Sequence, residues 1–326
     1  MRLLITGATG KVGANLIAKL LGEPRWREAR VTALCHHRSV APSERIEIVE
    51  GDIADRGCVE RVMRGATHVV HLATCKEIPE IVMDVTVKGL FWLLDEFRRS
   101  ATAKQFILIG GDAAVGHFFH EHERPITELT PYRAYPGCYA LSKVLEEVML
   151  TQFGIQYGVN ACCLRAPWIM EKDDFRYSLS FGDDVFGGPV WSSLVAPEVA
   201  ERCRAEGTTP LLRDAHGEPL RRNFVHVDDL VEAILAALDN PAASNKLYNI
   251  CMDEPVDYGE VAAYLKSTRG LDWLDIPSRY HSNWMDNCRA KFELGWRPRY
   301  DFRRLIEAAW EYPRGADDPR KVWYPG

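Results

Sequence analysis

Two side chains suited to proton transfer lie four residues apart in the run Tyr139-Ala-Leu-Ser-Lys143. On a helix this spacing places both side chains on one face. A free phenol titrates at a pH of about 10, too high for a base at neutral pH, but a neighbouring ammonium group favours its ionised form. The pair could therefore take a proton from a hydroxyl group and return it. The same spacing is common on ordinary surface helices, so the surrounding elements must decide.

A glycine-rich turn near the amino terminus supplies that context. The apolar run Met1–Thr6 predicts a strand, and Gly7-Ala-Thr-Gly10-Lys-Val-Gly13 follows it at once. A helix is then predicted by apolar residues at helical spacing, Leu16, Ile17, Leu20 and Leu21. Gly7 permits a tight turn, Gly10 lets a pyrophosphate approach the backbone, and Gly13 lets the helix pack on the strand. Because the helix N-terminus attracts anions, this order predicts a dinucleotide site, with a plain βα turn as the alternative.

The residues after the next two predicted strands bear on the choice of dinucleotide. His36, His37 and Arg38 follow the strand 30–35, and no acidic residue ends it to bind a ribose 2′-hydroxyl. Cationic side chains there would favour a 2′-phosphate, so NADP is favoured over NAD; a solvated loop is the equally weighted alternative. Asp52 and Ile53, after the strand 46–50, are placed to meet an adenine ring.

The order of elements predicts the fold class. Strands alternate with helices, which indicates a parallel sheet wound on both faces by right-handed crossovers. Strands are predicted at 1–6, 30–35, 46–50, 66–73, 105–109, 159–165 and 246–250, and helices at 78–99, 138–153, 230–238, 257–268 and 301–312; residues 224–227 are a short apolar run before the helix at 230–238. The prediction is an α/β, doubly wound Rossmann domain of residues 1–165 plus about 223–250. Residues 166–222 plus about 251–326 are predicted to form a smaller C-terminal substrate-binding lobe.

Composition argues against several classes of partner. The 326 residues carry a formal net charge of −6 and no basic block, so neither nucleic acid nor an acidic membrane is expected. No apolar run approaches the length of a membrane span, and the opening residues resemble a strand rather than a signal peptide. Nine cysteines without metal-type spacing indicate reduced, mostly buried thiols in a cytoplasmic protein. No metal site is predicted, and the closely spaced His117, His120 and His122 are interpreted as a solvated loop.

Together these motifs identify a family resemblance that runs from one end of the chain to the other. The matching segments are Thr6–Gly13, Gly51-Asp52-Ile53, His71-Leu-Ala73, Val87-Lys-Gly89, Tyr139-xxx-Lys143, Phe224–Asp229 and Leu294-Gly-Trp-Arg-Pro298. The chain resembles the extended short-chain dehydrogenase/reductase superfamily, specifically the NAD-dependent epimerase/dehydratase family. The resemblance implies a bound nicotinamide cofactor, with Tyr139 as acid/base and Lys143 holding the ribose hydroxyls. It also implies a homodimer formed through the helices at 78–99 and 138–153.

Site residues follow from the resemblance together with the motifs. The candidate cofactor-binding residues are Gly7, Thr9, Gly10, Lys11, Val12, Gly13, His36, Arg38, Asp52, Ile53, Leu72, Ala73, Lys143 and Ala166. The candidate catalytic residues are Tyr139, Lys143 and Asp112, and the candidate substrate-binding residues are Asp112, Tyr139, Trp168 and Arg222. Arg165, Trp191 and Tyr132 could also line a pocket, although aromatic residues in a loosely patterned segment more often pack within a lobe.

Three departures from the family pattern limit the substrate. Gly110-Gly111-Asp112 stands where a Ser or Thr usually binds the reacting oxygen, so Asp112 turns away, donates a hydrogen bond as an acid, or acts as a base; we hypothesise that it contacts substrate. Ala113 and Ala114 replace the acids of 4,6-dehydratases, which argues against that reaction. Leu164-Arg-Ala-Pro-Trp-Ile169 and Thr86 replace segments typical of nucleotide-sugar epimerases, which favours a smaller or free sugar.

The predicted function is therefore the oxidation of a secondary alcohol on a sugar or sugar derivative by hydride transfer to NADP or NAD. An epimerase would return the hydride to the opposite face of the ketone. A net dehydrogenase or carbonyl reductase, which would exchange oxidised and reduced cofactor, is the alternative. A non-catalytic NADP-binding redox sensor is a third reading, against which the retained Tyr139 and Lys143 argue.

Overall fold

The computed structural model describes residues 1–182 and 190–318. In chain order its strands are β1 (Arg2–Thr6), β2 (Arg30–Cys35), β3 (Ile46–Glu50), β4 (His68–His71), β5 (Gln105–Gly111), β6 (Ala161–Ala166), β7 (Trp168–Met170), β8 (Thr209–Arg213), β9 (Arg221–Arg222), β10 (Phe224–His226), β11 (Lys246–Asn249), β12 (Val256–Asp257) and β13 (Trp273–Pro277).

The helices fill the intervals between strands. They are α1 (Lys11–Gly22), α2 (Arg56–Val62), α3 (Pro79–Val82), α4 (Gly89–Arg99), α5 (Cys138–Tyr157), α6 (Asp174–Ser178), α7 (Pro197–Glu206), α8 (Val227–Ala237), α9 (Tyr258–Arg269), α10 (Cys288–Glu293) and α11 (Phe302–Glu311). A π-helical turn, Met83–Lys88, joins α3 to α4. The predicted helix 78–99 is therefore one helical stretch with a widened turn in its middle.

Seven strands form a parallel sheet in the order β11-β6-β5-β4-β1-β2-β3. Its centre is buried on both faces, since Leu3, Leu4 and Ile5 of β1 are fully inaccessible, as expected for a parallel sheet covered by helices. The strand order reverses between β1 and β4. Ligands of open α/β sheets bind at such a switch point, beyond the carboxyl ends of the strands.

Two hydrophobic cores lie on opposite faces of the sheet, which confirms the doubly wound Rossmann class. Helices α1 and α8 pack on one face through residues such as Leu16, Leu20 and Ile234. Helices α2, α4 and α5 pack on the other through residues such as Val59, Leu93 and Leu150. Each core buries apolar surface that would otherwise face water, the main favourable contribution to folding.

A third core belongs to the predicted lobe. It is formed by residues from β7, α6, α7, β8, α9 and α11, including Phe175, Leu212 and Ile306. Small strand pairs support it: β8 with β13, β9 with β12, and β7 with β10. Leu294 and Trp296, however, pack with the α1–α8 core, so the segment after α10 returns to the Rossmann layer. The exact domain boundaries stay a prediction.

No helix in the described part of the chain is both long and apolar enough to cross a bilayer. The nine cysteines are free, and seven of them are buried, in agreement with the expectation of mostly buried thiols.

Candidate active site

The turn between β1 and α1 follows a path that requires glycine at two positions. Gly7 has a φ of +65°, and a Cβ atom there would lie 2.8 Å from the backbone nitrogen of Ala73. A Cβ atom at Gly13 would lie 2.4 Å from the carbonyl oxygen of Gly7. Helix α1 begins after Gly10 without a side-chain cap. Its first N–H groups are therefore oriented to receive an anion such as a pyrophosphate.

A hydroxyl group joins this turn to the end of β4. The Thr6 hydroxyl accepts hydrogen bonds from the backbone N–H groups of Leu72 (3.2 Å) and Ala73 (3.3 Å). It also lies 2.7 Å from Nδ1 of His71. The predicted cofactor residues 72 and 73 thus lie directly beside the glycine turn, at the switch point of the sheet.

The lobe reaches over the glycine turn. The Lys11 ammonium donates to the Ile169 carbonyl oxygen at 2.9 Å and forms an ion pair of 2.5 Å with Asp174. Val12, by contrast, points into the core. Between turn and lobe lies a pocket of about 260 Å³ whose walls are mostly polar, lined by Thr9, Gly10, Lys11, Ala14, Asn15, Glu171, Lys172, Asp174, Arg314 and Asp318.

The carboxyl ends of β2 and β3 lie along the same sheet edge. His36 and His37 are exposed with ring centroids 3.7 Å apart, and Arg38 beside them is partly buried. Asp52 accepts a hydrogen bond from the N–H of Ala54 at 2.8 Å. Ile53 is buried against Gly89, where an added Cβ would lie 3.1 Å from its side chain.

Helix α5 carries the predicted acid/base pair to the end of β5. The Tyr139 hydroxyl lies 3.5 Å from the position a Cβ would take on Gly111, and the Lys143 side chain lies 3.6 Å from it. Ala166, the last residue of β6, pairs with Gly111. The Lys143 ammonium is 5.6 Å and the Lys76 ammonium 4.2 Å from the centroid of the Tyr139 ring. Two cations therefore flank the phenol at the carboxyl edge of the sheet.

A buried carboxylate beneath Lys143 was missed by the sequence analysis. Glu146 forms an ion pair of 2.8 Å with the Lys143 ammonium, and both side chains are almost completely inaccessible. Burial raises the pKa of Glu146 to about 7, although Lys143 acts in the opposite direction. Nε2 of His71 lies 4.0 Å from the same carboxylate, and burial followed by the charge of Lys143 lowers the pKa of His71 to about 3. The spacing of three between Lys143 and Glu146 was the available signal.

Asp112 opens a 3-10 turn directly after β5. Its carboxylate contacts Nδ1 of His117, and both residues are buried. His117 has a φ of +49°, a backbone conformation uncommon for any residue other than glycine. Burial lowers the pKa of His117, and Asp112 offsets part of that shift. The prediction of a solvated histidine loop is therefore wrong for His117, because Gly116, with a φ of +91°, turns the chain so that His117 is buried against Asp112 and Phe118.

Arg222 is a buried cation on the lobe side of this region. Its guanidinium carbon lies 4.0 Å from the ring centroid of Trp168 and 4.5 Å from that of Phe118. Burial lowers the pKa of Arg222, while Tyr258 and then Asp112 raise it. Its Nε has no hydrogen-bond partner within residues 1–182 and 190–318. A stacked guanidinium with a free donor can orient an oxygen-rich ligand.

The model of the NAD dependent epimerase/dehydratase family matches residues 3–173 and 174–251 of this chain. The chain belongs to that family. It is an enzyme of the extended short-chain dehydrogenase/reductase type, as its sheet order, glycine turn and Tyr139–Lys143 pair already indicated.

Curated relatives of this family member differ in activity. A dihydroflavonol 4-reductase of Zea mays is 23% identical over 85% of this chain and 76% of its own length. A UDP-glucose 4-epimerase of Erwinia amylovora is 26% identical over 96% of this chain and 97% of its own. A solved short-chain dehydrogenase/reductase superfamily protein of Agrobacterium tumefaciens with bound NAD superposes with a TM-score of 0.79, at 23% identity and coverage of 95% and 96%.

Arg165 and Trp191 of this epimerase/dehydratase family member pair or pack with other side chains, whereas Tyr132 is partly exposed. Arg165 makes a buried bidentate ion pair with Glu147, at 3.0 and 2.7 Å, and burial followed by the charge of the same carboxylate raises the pKa of Tyr132. Trp191 lies in the lobe core and donates its indole N–H to the Ser178 carbonyl oxygen at 2.6 Å. Arg165 and Trp191 thus have partners that a sequence pattern does not reveal.

Proposed function

We propose that this enzyme oxidises a secondary alcohol of a sugar or sugar derivative, with Tyr139 as the general base. The supporting observation is the Tyr139 hydroxyl beside the Gly111 backbone, with Lys143 one helical turn away. Tyr139 takes the hydroxyl proton as the carbon–hydrogen bond breaks, and the cation beside it stabilises the negative charge that develops. Asp112, held by His117, and the guanidinium of Arg222 are proposed to orient the remaining substrate hydroxyls.

The residues around the glycine turn fit a dinucleotide. Gly7 and Gly13 leave space that a Cβ would fill, and the uncapped start of α1 offers N–H groups to a pyrophosphate. Lys143 would hold the ribose hydroxyls, and Asp52 and Ile53 would meet the adenine. When bound, the nicotinamide supplies the hydride acceptor. The glycine turn, the start of α1, Lys143 and the segment 52–53 all lie along one edge of the sheet, as a single extended cofactor requires.

We infer a preference for NADP. The exposed His36 and His37 and the neighbouring Arg38 follow β2, and none of these three residues is acidic. The Agrobacterium relative was solved with NAD, so the choice within this chain rests on its own residues. Titration of the protein with both dinucleotides should give tighter NADP binding, and Arg38→Ala should weaken NADP about tenfold while leaving NAD unchanged. Equal affinities in the wild type would overturn the preference.

Oxidation of the alcohol could be followed by either of two overall reactions. We favour epimerisation, in which the hydride returns to the opposite face of the ketone. A net dehydrogenase or reductase is the second candidate, favoured by the NADP-type residues and by Trp168 and Ala166 in place of typical nucleotide-sugar residues. Ala113 and Ala114 are buried and offer no acid, which argues against a 4,6-dehydratase.

One assay separates these reactions. The purified protein is mixed with cofactor and a panel of free and nucleotide-linked sugars while nicotinamide absorbance and sugar stereochemistry are followed. Inverted sugar without net cofactor reduction supports the epimerase, and accumulation of reduced cofactor supports the dehydrogenase. Tight cofactor binding with no turnover of any sugar contradicts the enzymatic proposal and favours the redox sensor.

Tyr139→Phe tests the proposed base. The variant should lose about 10²–10⁴-fold in kcat and keep its cofactor affinity. Tyr157→Phe, at the far end of the same helix, is the matched control and should behave as wild type. Full turnover by Tyr139→Phe would remove the phenol from the mechanism.

A further inference from the structure

Three potential metal ligands from three separate segments meet on the lobe side of the molecule. They are Glu121, shortly after the turn that carries His117, His216 in the turn after β8, and His281 after β13. One donor atom from each lies within 4.8 Å of the other two. We propose that these residues form a binding site for a divalent transition metal ion, with zinc as its typical occupant.

Backbone hydrogen bonds fix the three segments relative to one another. The N–H of His281 donates to the Phe118 carbonyl oxygen at 2.8 Å, which links the lobe to the turn before Glu121. The N–H of Ala215 donates to the Tyr280 carbonyl oxygen at 2.7 Å, which holds the His216 turn beside His281. The backbone positions of the ligands are thus set without the metal, and binding need only orient side chains.

The turn that carries His216 is itself well ordered by hydrogen bonds. Asp214 accepts the N–H of His216 at 2.9 Å and the hydroxyl of Ser282 at 2.7 Å. Asp214 is buried, so its carboxylate acts as a support for the turn rather than as a ligand. A site supported in this way limits the loss of side-chain freedom on binding.

The distances approach those of a zinc site. Nε2 of His216 already lies 3.1 Å from the Glu121 carboxylate. Ligand atoms about 2.0–2.2 Å from a tetrahedral ion are themselves about 3.4 Å apart. Rotation of partly exposed side chains can close the remaining separation. Water would take the fourth position.

An ordinary ion pair accounts for only part of this arrangement. An ion pair explains the contact between Glu121 and His216. It does not explain the position of His281, whose Nδ1 is buried without a hydrogen-bond partner in the described part of the chain. The His216 and His281 rings have centroids 6.2 Å apart, and two protonated imidazoles so close would repel each other. Two neutral imidazoles and one carboxylate suit Zn²⁺, Co²⁺ or Ni²⁺ better than Mg²⁺ or Ca²⁺.

Such an ion would act as a link between segments of the chain. It would tie two lobe segments to the chain between β5 and α5, which also carries His117 against Asp112. The inference does not depend on the proposed function, because metal binding is measured without substrate.

The test uses the full chain without an affinity tag, stripped of metal by a chelator and then titrated with Zn²⁺ and with Co²⁺. We expect one ion per chain and a rise in Tm with Zn²⁺. Co²⁺ should give a visible spectrum without thiolate charge-transfer bands. Acid should weaken the binding, because protons compete with the metal for the imidazole ligands.

Variants locate the ion. Glu121→Gln, His216→Ala and His281→Ala should each weaken Zn²⁺ binding by about tenfold or more. Glu123→Gln on the same loop and His37→Ala beyond β2 are controls that should bind as wild type. The proposal fails if no ion binds, if all three variants keep wild-type affinity, or if the Co²⁺ spectrum shows thiolate ligands. Circular dichroism confirms that each variant is folded.

Discussion

At the scale of single residues, the buried carboxylate of Glu146 controls how much of the Lys143 charge reaches Tyr139. An ionised Glu146 partly neutralises the ammonium with which it pairs. Removing that carboxylate leaves a stronger positive field on the phenol, which favours phenolate. Above about pH 7, where Glu146 is ionised, Glu146→Gln should therefore raise kcat/KM by about three- to tenfold, whereas below about pH 6 the variant and the wild type should give the same kcat/KM. A profile that coincides with wild type would show that Glu146 is only a packing residue.

The raised pKa of Glu146 also predicts how the free energy of unfolding depends on pH. Because burial raises the pKa of Glu146 from 4.5 to about 7, the folded state retains a proton that the unfolded state releases. Its contribution to the free energy of unfolding is present below pH 4.5 and is lost as pH rises to about 7, by an amount on the order of 3 kcal/mol. Denaturant unfolding of wild type and Glu146→Gln at pH 5 and 8 measures it. An equal pH dependence in both proteins would contradict the assignment.

Asp112 and His117 are expected to act as one unit. Burial lowers the pKa of His117, which favours the neutral imidazole, and its Nδ1 contacts the Asp112 carboxylate. Asp112→Asn should lower kcat/KM by about ten- to a hundredfold without changing cofactor affinity. His117→Ala should cost a similar factor, and the double variant little more, because each single change already breaks the pair. Additive losses would mean that the two residues act independently, and full turnover by Asp112→Asn would remove Asp112 from the mechanism.

At the scale of elements, the close approach of α1 to the turn after β1 creates the proposed cofactor site. In Gly13→Ala the new Cβ would lie 2.4 Å from Gly7 O and 2.7 Å from Ala8 Cα, so backbone must move. We expect at least about tenfold weaker dinucleotide binding and a loss of about 1–3 kcal/mol in the free energy of unfolding. Gly22→Ala, in the same helix with open space around it, is the control and should be neutral or slightly stabilising. Unchanged binding in Gly13→Ala would place the cofactor elsewhere.

At the scale of the whole molecule, helices α4 and α5 expose an apolar surface that suits a second copy of the chain. Leu141, Val148 and Ile155 are spaced by seven residues on α5 and are 46%, 38% and 72% exposed. Phe91 on α4 is 41% exposed and packs on Phe153 of α5 at 5.8 Å. Burying such a stripe in a symmetric contact would stabilise a dimer.

Light scattering after size exclusion tests the predicted homodimer. The wild type should elute with twice the chain mass, and Leu141→Glu combined with Val148→Glu should elute as a monomer. Phe292→Glu, at an 83% exposed apolar residue on α10, is the control and should stay dimeric. A monomeric wild type at micromolar concentration would contradict the prediction.

Patterns among residues close in sequence were sufficient to predict the Rossmann sheet, its glycine turn and the position of Tyr139 and Lys143 on one helix. Strand and helix periodicities depend on residues close in sequence, and the glycine turn is constrained by its own backbone. These features could be recognised before any tertiary contact was known.

Only the tertiary structure shows which distant segments of the chain contact each other. Residues 112 and 117 are close in sequence, yet their burial depends on packing against the lobe. Arg165 could have lined a pocket, and only the fold shows it paired with Glu147. Glu121, His216 and His281 are separated by more than sixty residues at each step, so no spacing rule could join them. Sequence pattern records which face of an element is apolar, whereas the partners of a buried charge depend on which elements meet.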